Sequence, residues 1–364
     1  MIPNFYASKN YKYLAIVPAL LVVASLFLIF FNGIPQGVDL KGGLLLTVQT
    51  SGAVDVAALQ ASVEKTGIVS SIRTFASPSG TGVEIELENN EKLGAMEEKV
   101  RALQVKDGLL RELEINASTA EGQELEKLAR EQITLNAEII SEVQPLLTEL
   151  DASYAGSDGH AAVRELVTTY GNSQDSYRNA VLAAVRSELS VDAYSFREVG
   201  PTLSRFFLEK SREILLYSFI LAAIVVFIVF RSVVPSIAVI LGAVIDIVVT
   251  LGAMSLFSLP LTLGSIAGLL MLIGFSLDTD VMLTMRVLKR KEGTASERAF
   301  SAFKTGALMN LTTIGAFGIL ALVGLYLQIP IYFQIGIVAT IGGIVDFAAT
   351  WGANAVLILR YAEK

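Results

Sequence analysis

Six long apolar segments constrain this chain of 364 residues more than any other feature of its sequence. A helix needs about 20 mostly apolar residues to cross the hydrocarbon core of a bilayer. Such segments cover residues 13–31, 214–230, 234–257, 261–285, 306–327 and 331–359. Prolines stand near three of the joins, where the missing amide and fixed φ of proline do least harm to a helix: Pro235, Pro260 and Pro330. The pattern predicts a membrane α-helical bundle of six transmembrane helices.

Charged residues are concentrated in the polar part of the chain, between Lys41 and Glu213. They make up 17% of the sequence, and residues 214–364 are nearly free of them outside one basic loop. We therefore predict three regions: residues 1–31 with the first span, a polar domain over residues 32–211, and a five-helix membrane region over residues 212–364. The net charge of −7 argues against a nucleic-acid partner, since phosphate binding needs clustered Lys and Arg.

The polar domain shows the alternation of apolar and polar residues that is typical of strands. Strands are predicted over residues 44–49, 68–75, 83–87 and 193–199, with helices over 54–65 and 91–104 and a turn at Ser77–Gly80. This order predicts an α+β domain of the ferredoxin-like type, β-α-β-β-α-β. Residues of about 118–190 are predicted to form a polar, helical insertion in it.

Basic residues mark the cytoplasmic side of a membrane protein. Here they precede the first predicted span and follow the second, fourth and sixth: Lys9, Lys12, Arg231, Arg286, Lys289, Arg290, Lys291, Arg298, Lys304, Arg360 and Lys364. All of them fall on one side when both termini are cytoplasmic. We therefore predict a multi-pass protein of the plasma membrane, with residues 32–211 extracytoplasmic. The first span is too long for a signal peptide, and we expect it to be an uncleaved anchor.

The residue types present exclude several kinds of chemistry. The chain has no cysteine, so it has no disulfide and no thiolate metal site or nucleophile. Its single histidine, His160, nearly excludes a histidine metal site or a Ser-His triad, and we expect that side chain to be solvated in a Gly/Ser/Asp loop. We expect no metal, no cofactor and no enzymatic activity.

Acidic side chains inside the predicted spans are the candidate functional residues. A carboxylate at the centre of a membrane helix costs roughly 2.5–3.5 kcal/mol, and such residues are usually functional. The candidates for proton relay or transport are Asp278, Asp280, Asp246, Asp346 and the amide Asn310 of the fifth span. Asp246, Asp346 and Asn310 are also explained as hydrogen-bonded contacts between helices.

Asp278 and Asp280 cannot face the same direction, because two residues correspond to about 200° around a helix. Asp280 lies about 9 Å along the helix from Arg286, at a rise of 1.5 Å per residue, and we expect it to turn toward that basic loop. Asp278 is therefore predicted as the interior residue.

Three motifs occur in an ordered set along the chain. Gly37, Asp39, Lys41, Gly42 and Gly43 form the first, after the first span; Gly200 and Pro201 form the second; residues 274–280 end the fourth span. In this order, with one large domain after the first span, the chain resembles the SecF family of protein-export membrane proteins over essentially its whole length. The fourth-span motif and the helical insertion resemble archaeal members.

The resemblance implies a function and a set of partners. SecF proteins pair with SecD, and the pair resembles half-molecules of the resistance-nodulation-division transporters. They act with the SecYEG translocon in the lipid bilayer and assist the late movement of a translocating polypeptide. In bacterial members, proton flow is thought to drive movement of the exterior domains.

The sequence departs from the bacterial pattern at two positions. Leu308 stands where bacterial members have an arginine in the fifth span. Asp278 matches the acidic position of SecD proteins, where bacterial SecF has an asparagine. The proton-relay role is therefore carried over only in part by the resemblance.

Two other functions fit parts of the sequence. The same bundle would suit a subunit of a small-molecule or lipid transporter of the resistance-nodulation-division type. An intramembrane aspartyl protease would pair Asp278 or Asp280 with Asp346, since it needs two facing carboxyls that share a proton. The Gly-x-Gly-Asp signature of those proteases is absent, because Gly343 stands three residues before Asp346. In the first motif, Asp39 and Lys41 either bridge the polar domain to its base or belong to a glycine-flexed entry into a strand.

Overall fold

The structure is a computed structural model that describes residues 4–8, 10–77, 80–327 and 329–363. Of the predicted features, Lys9, Lys364 and the centre of the turn at Ser77–Gly80 lie outside the described residues. The chain divides into two compact units, which are treated separately below. One is Met1–Leu40 with Arg205–Lys364, and the other is Lys41–Ser204.

The helices and strands follow one another in chain order. The helices are α1 (Ile16–Asn32), α2 (Val38–Lys41), α3 (Val56–Val63), α4 (Glu91–Thr119), α5 (Gln123–Glu149), α6 (Gly159–Glu188), α7 (Pro201–Phe230), α8 (Val233–Leu256), α9 (Leu263–Lys289), α10 (Ala295–Tyr326), α11 (Pro330–Ala348) and α12 (Ala355–Ala362). The strands are β1 (Gly43–Thr50), β2 (Val69–Ser77), β3 (Gly80–Leu87) and β4 (Ala193–Val199). A π-helical segment, Ala349–Asn354, joins α11 to α12.

Six helical segments in the described part of the chain are long and apolar enough to cross a membrane, which agrees with the prediction. Some of them start well before the predicted positions. The α10 helix begins at Ala295, eleven residues before the predicted start, because Thr294 and Glu297 form a capping box there. Hydropathy detects only the part of a helix that suits hydrocarbon, so polar first turns escape it.

The helices α8, α9 and α11 form the centre of the membrane unit. Half of the apolar stretch of α8 and of α9 is buried, against 6% for α7 and 11% for the first span. Glycine permits the close approach of α9 to α11, since a Cβ on Gly268 would lie 3.1 Å from the Ile335 carbonyl oxygen. Most of α7 therefore has no covering from this chain within the described residues.

The unit Lys41–Ser204 contains a four-stranded antiparallel sheet with the strand order β2-β3-β1-β4. The central strand β1 pairs Leu46 with Ile85 on one side and with Phe196 on the other. The apolar residues of one sheet face are buried beneath α3 and the end of α6, with Leu59, Val181 and Val185 in the same hydrophobic cluster as Leu46 and Ile85.

The structure extends two predictions about this unit. The helix predicted over residues 91–104 is the start of α4, which continues without a break to Thr119, because Gly108 alone does not end a helix. The insertion predicted over residues 118–190 contains the last turns of α6, which cover the sheet. The remaining lengths of α4, α5 and α6 pack on one another around a second cluster that includes Leu103, Ile139 and Leu166.

Candidate functional site

Three aspartates from three helices meet inside the membrane unit. Asp246 of α8, Asp280 of α9 and Asp346 of α11 are each 0% exposed. The Thr350 hydroxyl lies within hydrogen-bond distance of Asp280 and Asp346, and Ser276, four residues before Asp280 on α9, donates to Asp246. We call Asp246, Asp280 and Asp346 the carboxyl cluster. Buried charges normally pair with an opposite charge, and none of the three forms an ion pair with a lysine or arginine in the described chain.

Neutral polar groups surround the carboxyl cluster instead. Asp346 accepts hydrogen bonds from the Asn310 amide at 2.8 Å and the Thr350 hydroxyl at 2.9 Å. Asp280 lies 2.8 Å from the same Thr350 hydroxyl and accepts from the Asn354 amide at 2.6 Å. Asp246 accepts from the Ser276 hydroxyl. These hydroxyls and amides carry no charge, so they leave both the protonated and the ionised carboxyl chemically reasonable.

The contacts of Thr350 imply a proton on the carboxyl cluster. A threonine hydroxyl has one hydrogen to donate, yet Thr350 Oγ1 lies within hydrogen-bond distance of Asp280 and Asp346. Both contacts are hydrogen bonds only when one carboxyl is protonated and donates to the hydroxyl oxygen. The Thr350 hydroxyl thus connects Asp280 of α9 to Asp346 of α11 through hydrogen-bond contacts.

The π-helical segment keeps the side chains that contact the carboxyl cluster on one side of the last span. In a regular α-helix, positions four apart drift by about 40° per step. The wider turn over Ala349–Asn354 offsets this drift, so that Thr350 contacts Asp346 while Thr350 and Asn354 both reach Asp280 of α9. Such turns occur frequently at functional sites.

A glycine on α8 makes room for Asp280. A Cβ at Gly242 would lie 2.1 Å from Asp280 Oδ2. That oxygen and Asp246 Oδ1 are buried, and neither has a hydrogen-bond partner within the described residues. Buried polar atoms of this kind are rare in native proteins, and each is expected to have a functional or energetic reason.

The structure reverses the predicted roles of Asp278 and Asp280. Asp278 is exposed on the surface of the chain, and Asp280 is the interior residue. The expected turn of Asp280 toward Arg286 is also wrong, because Arg286 donates to Ser301 and Thr305. The neighbours Thr350 and Asn354 decide the outcome, since they supply donors only on the Asp280 side of α9.

Three polar residues that hydrogen-bond to the carboxyl cluster were not predicted: Ser276, Thr350 and Asn354. Their positions contained a usable pattern. Asp346, Thr350 and Asn354 recur at intervals of four in an apolar span, and Ser276 lies four residues before Asp280. A polar row at that spacing indicates one face of a helix turned toward polar partners. The predicted candidate Asn310 does join the cluster.

The first glycine motif, which follows α1, contacts the residues that lead into α9. The amide of Gly37 donates to the Leu261 carbonyl at 2.9 Å, and a Cβ on Gly37 would lie 2.6 Å from Thr262 Cγ2. The buried Asp39 accepts from the amide of Leu263 at 3.3 Å, which places a negative charge at the N-terminus of α9. Asp39 thus stabilises a helix within the membrane unit.

The rest of that motif enters the sheet. Lys41 pairs with Glu88. Gly42 and Gly43 have φ of +82° and +136°, a region that favours glycine, and a Cβ on Gly43 would lie 2.2 Å from the Leu87 carbonyl oxygen. The glycine-flexed entry into a strand is therefore present.

The second motif starts α7. Pro201 is its first residue, where a proline is well tolerated, and the carbonyl of Gly200 accepts from the Ser204 amide at 3.0 Å. A Cβ at Gly200 would collide with the Glu97 carboxylate, at 1.9 Å. Gly200 and Pro201 are thus explained by local packing within Lys41–Ser204.

Comparison with known proteins identifies the family to which this chain belongs. The model of the protein-export membrane protein SecD/SecF, C-terminal, matches residues 179–364, and the SecD/SecF GG motif matches residues 27–54. The protein-export membrane protein SecF of Methanothermobacter thermautotrophicus is 30% identical over 98% of this chain and 94% of its own length. This chain belongs to the SecF family of protein-export membrane proteins. The SecF of Methanocaldococcus jannaschii is 29% identical over 98% of this chain and 97% of its own.

The fold also matches a solved structure. The crystal structure of SecDF, a translocon-associated membrane protein from Thermus thermophilus, aligns with a TM-score of 0.61 and 14% identity. The alignment covers 100% of this chain and 39% of that chain. At this identity the likeness concerns the fold alone. This SecF-family chain thus corresponds to a little over a third of the SecDF chain.

Membership of the SecF family also helps to judge the two alternatives, a small-molecule or lipid transporter and an aspartyl protease. The family is one of export proteins, which favours export over transport of a small molecule or lipid. The structure does bring Asp280 and Asp346 together, as a protease would require. Both are 0% exposed, so neither carboxyl is accessible from the surface of the described chain.

Proposed function

We propose that this chain acts as a SecF subunit that pairs with a SecD-type subunit and assists a SecYEG-type translocon. In this proposal the carboxyl cluster relays protons across the bundle, and that flow supports the movement of a polypeptide across the plasma membrane. The shared hydroxyl of Thr350, 2.8 Å from Asp280 and 2.9 Å from Asp346, is the observation that carries it.

The chemistry of the carboxyl cluster suits protons. A relay group must be stable in two protonation states, and a permanent cation beside it would fix the ionised one. The cluster has amides and hydroxyls as neighbours and no ion pair in the described chain. Chains of acidic residues in membrane spans commonly carry protons in pumps and transporters.

The exposure of Asp278 supports the proposal that a partner subunit packs against this chain within the membrane. A carboxylate that faces lipid would cost roughly 2.5–3.5 kcal/mol, and a partner helix removes that contact. The same partner would cover α7, of which 6% is buried in this chain. The SecDF structure contains further chain beyond the 39% that corresponds to this one, and in the proposal a SecD-type subunit supplies it.

The positions of the basic residues support the proposal that both termini are cytoplasmic. Hydrogen bonds join the N-terminal segment to the first turn of α10, to the π-helical segment and to the residue after α12: Asn4 to Ser296 at 3.4 Å, Tyr6 to Trp351 at 2.7 Å and Tyr11 to Glu363 at 2.9 Å. The basic ends of the membrane unit thus lie together, and such ends are usually cytoplasmic. We place Lys41–Ser204 outside the cytoplasm, as a ferredoxin-like domain with a helical insertion that contacts the translocating polypeptide.

The experiment compares two neighbouring carboxyls on α9. The native gene is replaced by Asp280→Asn or by Asp278→Asn, and export of a secreted reporter is followed by pulse-chase. Proton uptake is measured in proteoliposomes that contain this chain with its co-purified partners. Asp280→Asn keeps the shape and removes the titratable group, so we expect proton uptake and export to fall about tenfold or more.

Asp278→Asn is the matched variant. We expect it to weaken co-purification of the partner while leaving proton uptake per assembled complex close to wild type. Normal proton uptake in Asp280→Asn would reject the relay. Equal loss of uptake in both variants, with the partner still bound, would reject the assignment of the relay to the carboxyl cluster.

A further inference from the structure

A small open pocket that the carboxyl cluster does not use is lined by the loop between α9 and α10 and by the adjoining turns of both helices. Its volume is about 180 Å³. The residues that line it are Arg286, Arg290, Glu292, Glu297, Arg298 and Ser301. Three arginines and two glutamates therefore line a space large enough for a small anion, which we call the arginine pocket.

Two of these arginines are held in place by neutral oxygens. Arg286 donates to the Ser301 carbonyl at 3.1 Å and to the Thr305 hydroxyl at 2.9 Å. Arg298 donates to the Val287 carbonyl at 3.0 Å and to the Gly293 carbonyl at 2.7 Å. These bonds fix the guanidinium planes and leave their charge uncompensated, since carbonyls and hydroxyls are not counter-ions.

Arg290 is the third, and it makes no hydrogen bond or ion pair with any described residue. Neither Arg286 nor Arg298 forms an ion pair within that part of the chain, although Glu292 and Glu297 line the same pocket. Glu297 is already engaged, because it accepts from the amide of Thr294 at 2.9 Å in the capping box of α10. The arginine pocket thus keeps a net positive charge with oriented donors, as phosphate recognition requires.

The position of the arginine pocket favours a lipid as the source of the phosphate. It lies between two helices long and apolar enough to cross a membrane, where α9 ends at Lys289 and α10 begins at Ala295. The α10 face that carries Ser301 and Thr305 continues along the span as apolar and open: Leu308 is 63% exposed, Ile319 63% and Leu322 66%. A headgroup in the pocket would place its acyl chains along that stripe.

We propose that the arginine pocket binds the phosphate headgroup of an anionic membrane lipid. Basic pockets between membrane helices bind such headgroups in other proteins. The proposal is independent of the proton relay, since no residue of the carboxyl cluster lines the pocket.

A general excess of basic residues on one side of the membrane explains loop charge without any bound lipid. The two explanations differ in which residue matters. Lys291 follows Arg290 in the same loop, is exposed, and does not line the arginine pocket. Arg290→Gln and Lys291→Gln therefore remove the same charge, one inside the pocket and one outside.

The test uses native mass spectrometry of the full chain in detergent, titrated with palmitoyl-oleoyl phosphatidylglycerol or with the zwitterionic phosphatidylcholine of the same chains. We expect wild type to prefer phosphatidylglycerol. Arg290→Gln should lower that affinity by about fivefold or more, from the attraction of one basic residue to an anionic headgroup. Lys291→Gln should change it by less than about twofold.

A third variant separates binding from folding. Glu292→Gln removes a negative charge from the arginine pocket, so affinity for phosphatidylglycerol should rise, which damage to the fold would not produce. Equal losses in Arg290→Gln and Lys291→Gln, or no preference for the anionic lipid, would overturn the proposal. Displacement of the lipid by excess inorganic phosphate would assign the pocket to a free anion and overturn the lipid source.

Discussion

Asp280 and Asp346 lie on different membrane helices and contact the same hydroxyl, that of Thr350, at 2.8 Å and 2.9 Å. One hydroxyl hydrogen serves one acceptor, so the second contact needs a carboxyl proton. In the proposed relay, the protonation state of one aspartate then sets the direction in which the hydroxyl points.

Thr350→Val should interrupt this link while keeping the shape of the side chain. Hydrogen bonds to charged groups contribute about 1.5–3 kcal/mol, which corresponds to roughly tenfold or more in a rate or equilibrium. We expect proton uptake in proteoliposomes to fall by about that factor. Thr350→Ser retains the hydroxyl and is the control. Wild-type uptake in Thr350→Val would contradict the shared-hydroxyl path.

Gly242→Ala should disturb Asp280 by direct contact. The new methyl group would lie 2.1 Å from Asp280 Oδ2, in a place where both residues are buried. Overpacking of this kind costs about 1–3 kcal/mol. We expect a lower melting temperature in detergent, together with reduced export.

Gly274→Ala is the matched control for that change. Gly274 also lies within a membrane helix, but a Cβ there would meet nothing within 4 Å. Its melting temperature should equal or exceed that of wild type, because alanine favours a helix over glycine. A similar loss in both variants would indicate a general sensitivity of the bundle to glycine replacement.

The sequence was sufficient for the spans and strands but not for the faces of the helices. Apolar length is a local property, so six spans were predictable. The choice between Asp278 and Asp280 depends on which side of α9 meets donors, and those donors, Thr350 and Asn354, come from 70 or more residues away along the chain. No local pattern in residues 274–280 contains that information.

The end of α6 illustrates the same limit in the other unit. Val181 and Val185 belong to a helix with a mostly polar composition, which predicts a solvated insertion. They are buried because the sheet needs a second covering helix, and that need is a property of the whole domain. By contrast, β4 was predicted at its observed bounds, Ala193–Val199, since its alternation is local.

Gly43→Ala should destabilise the sheet unit. The substitution combines a φ of +136° with a methyl group 2.2 Å from the Leu87 carbonyl oxygen, a backbone atom that cannot move away without breaking the β1–β3 pairing. We expect a loss of about 2 kcal/mol or more. Limited proteolysis of the purified chain should then cut within Lys41–Ser204 sooner than in wild type.

Gly108→Ala is the comparison for Gly43→Ala. Gly108 is inside α4, and a Cβ there meets nothing within 4 Å. Alanine in a helix interior gains about 0.5–1 kcal/mol over glycine. Its proteolysis should be equal to or slower than that of wild type, and faster cleavage would contradict the described path of α4.

His160 joins α6 to α4 through two carboxylates, so the expectation that it is merely solvated is wrong. Its side chain is 15% exposed, with Nδ1 at 2.5 Å from Asp107 and Nε2 at 3.1 Å from Glu114. Burial by itself lowers the pKa of the imidazole, but the hydrogen bonds and charges of Asp107 and Glu114 outweigh it and raise the pKa above the usual 6.5. Arg111 also approaches Asp107, at 3.7 Å.

The sign of the pH dependence follows from that direction. A group whose pKa is higher in the folded state stabilises the fold fully below its unfolded pKa and loses that contribution as the pH rises through the folded one. Only the imidazolium donates from both nitrogens, so deprotonation costs one of the two carboxylate bonds. The contact between α4 and α6 should therefore weaken as the pH rises above 6.5.

Because His160 is the single histidine of the sequence, the titration of its imidazole can be measured in the full chain. Protein with isotope-labelled histidine gives one imidazole signal, whose midpoint by NMR should lie above 6.5. Asp107→Asn removes the shorter contact and should lower the midpoint, while Asp151→Asn, an exposed residue with no ion pair in the described chain, should leave it unchanged. A wild-type midpoint at or below 6.5 would show that burial outweighs the two carboxylates.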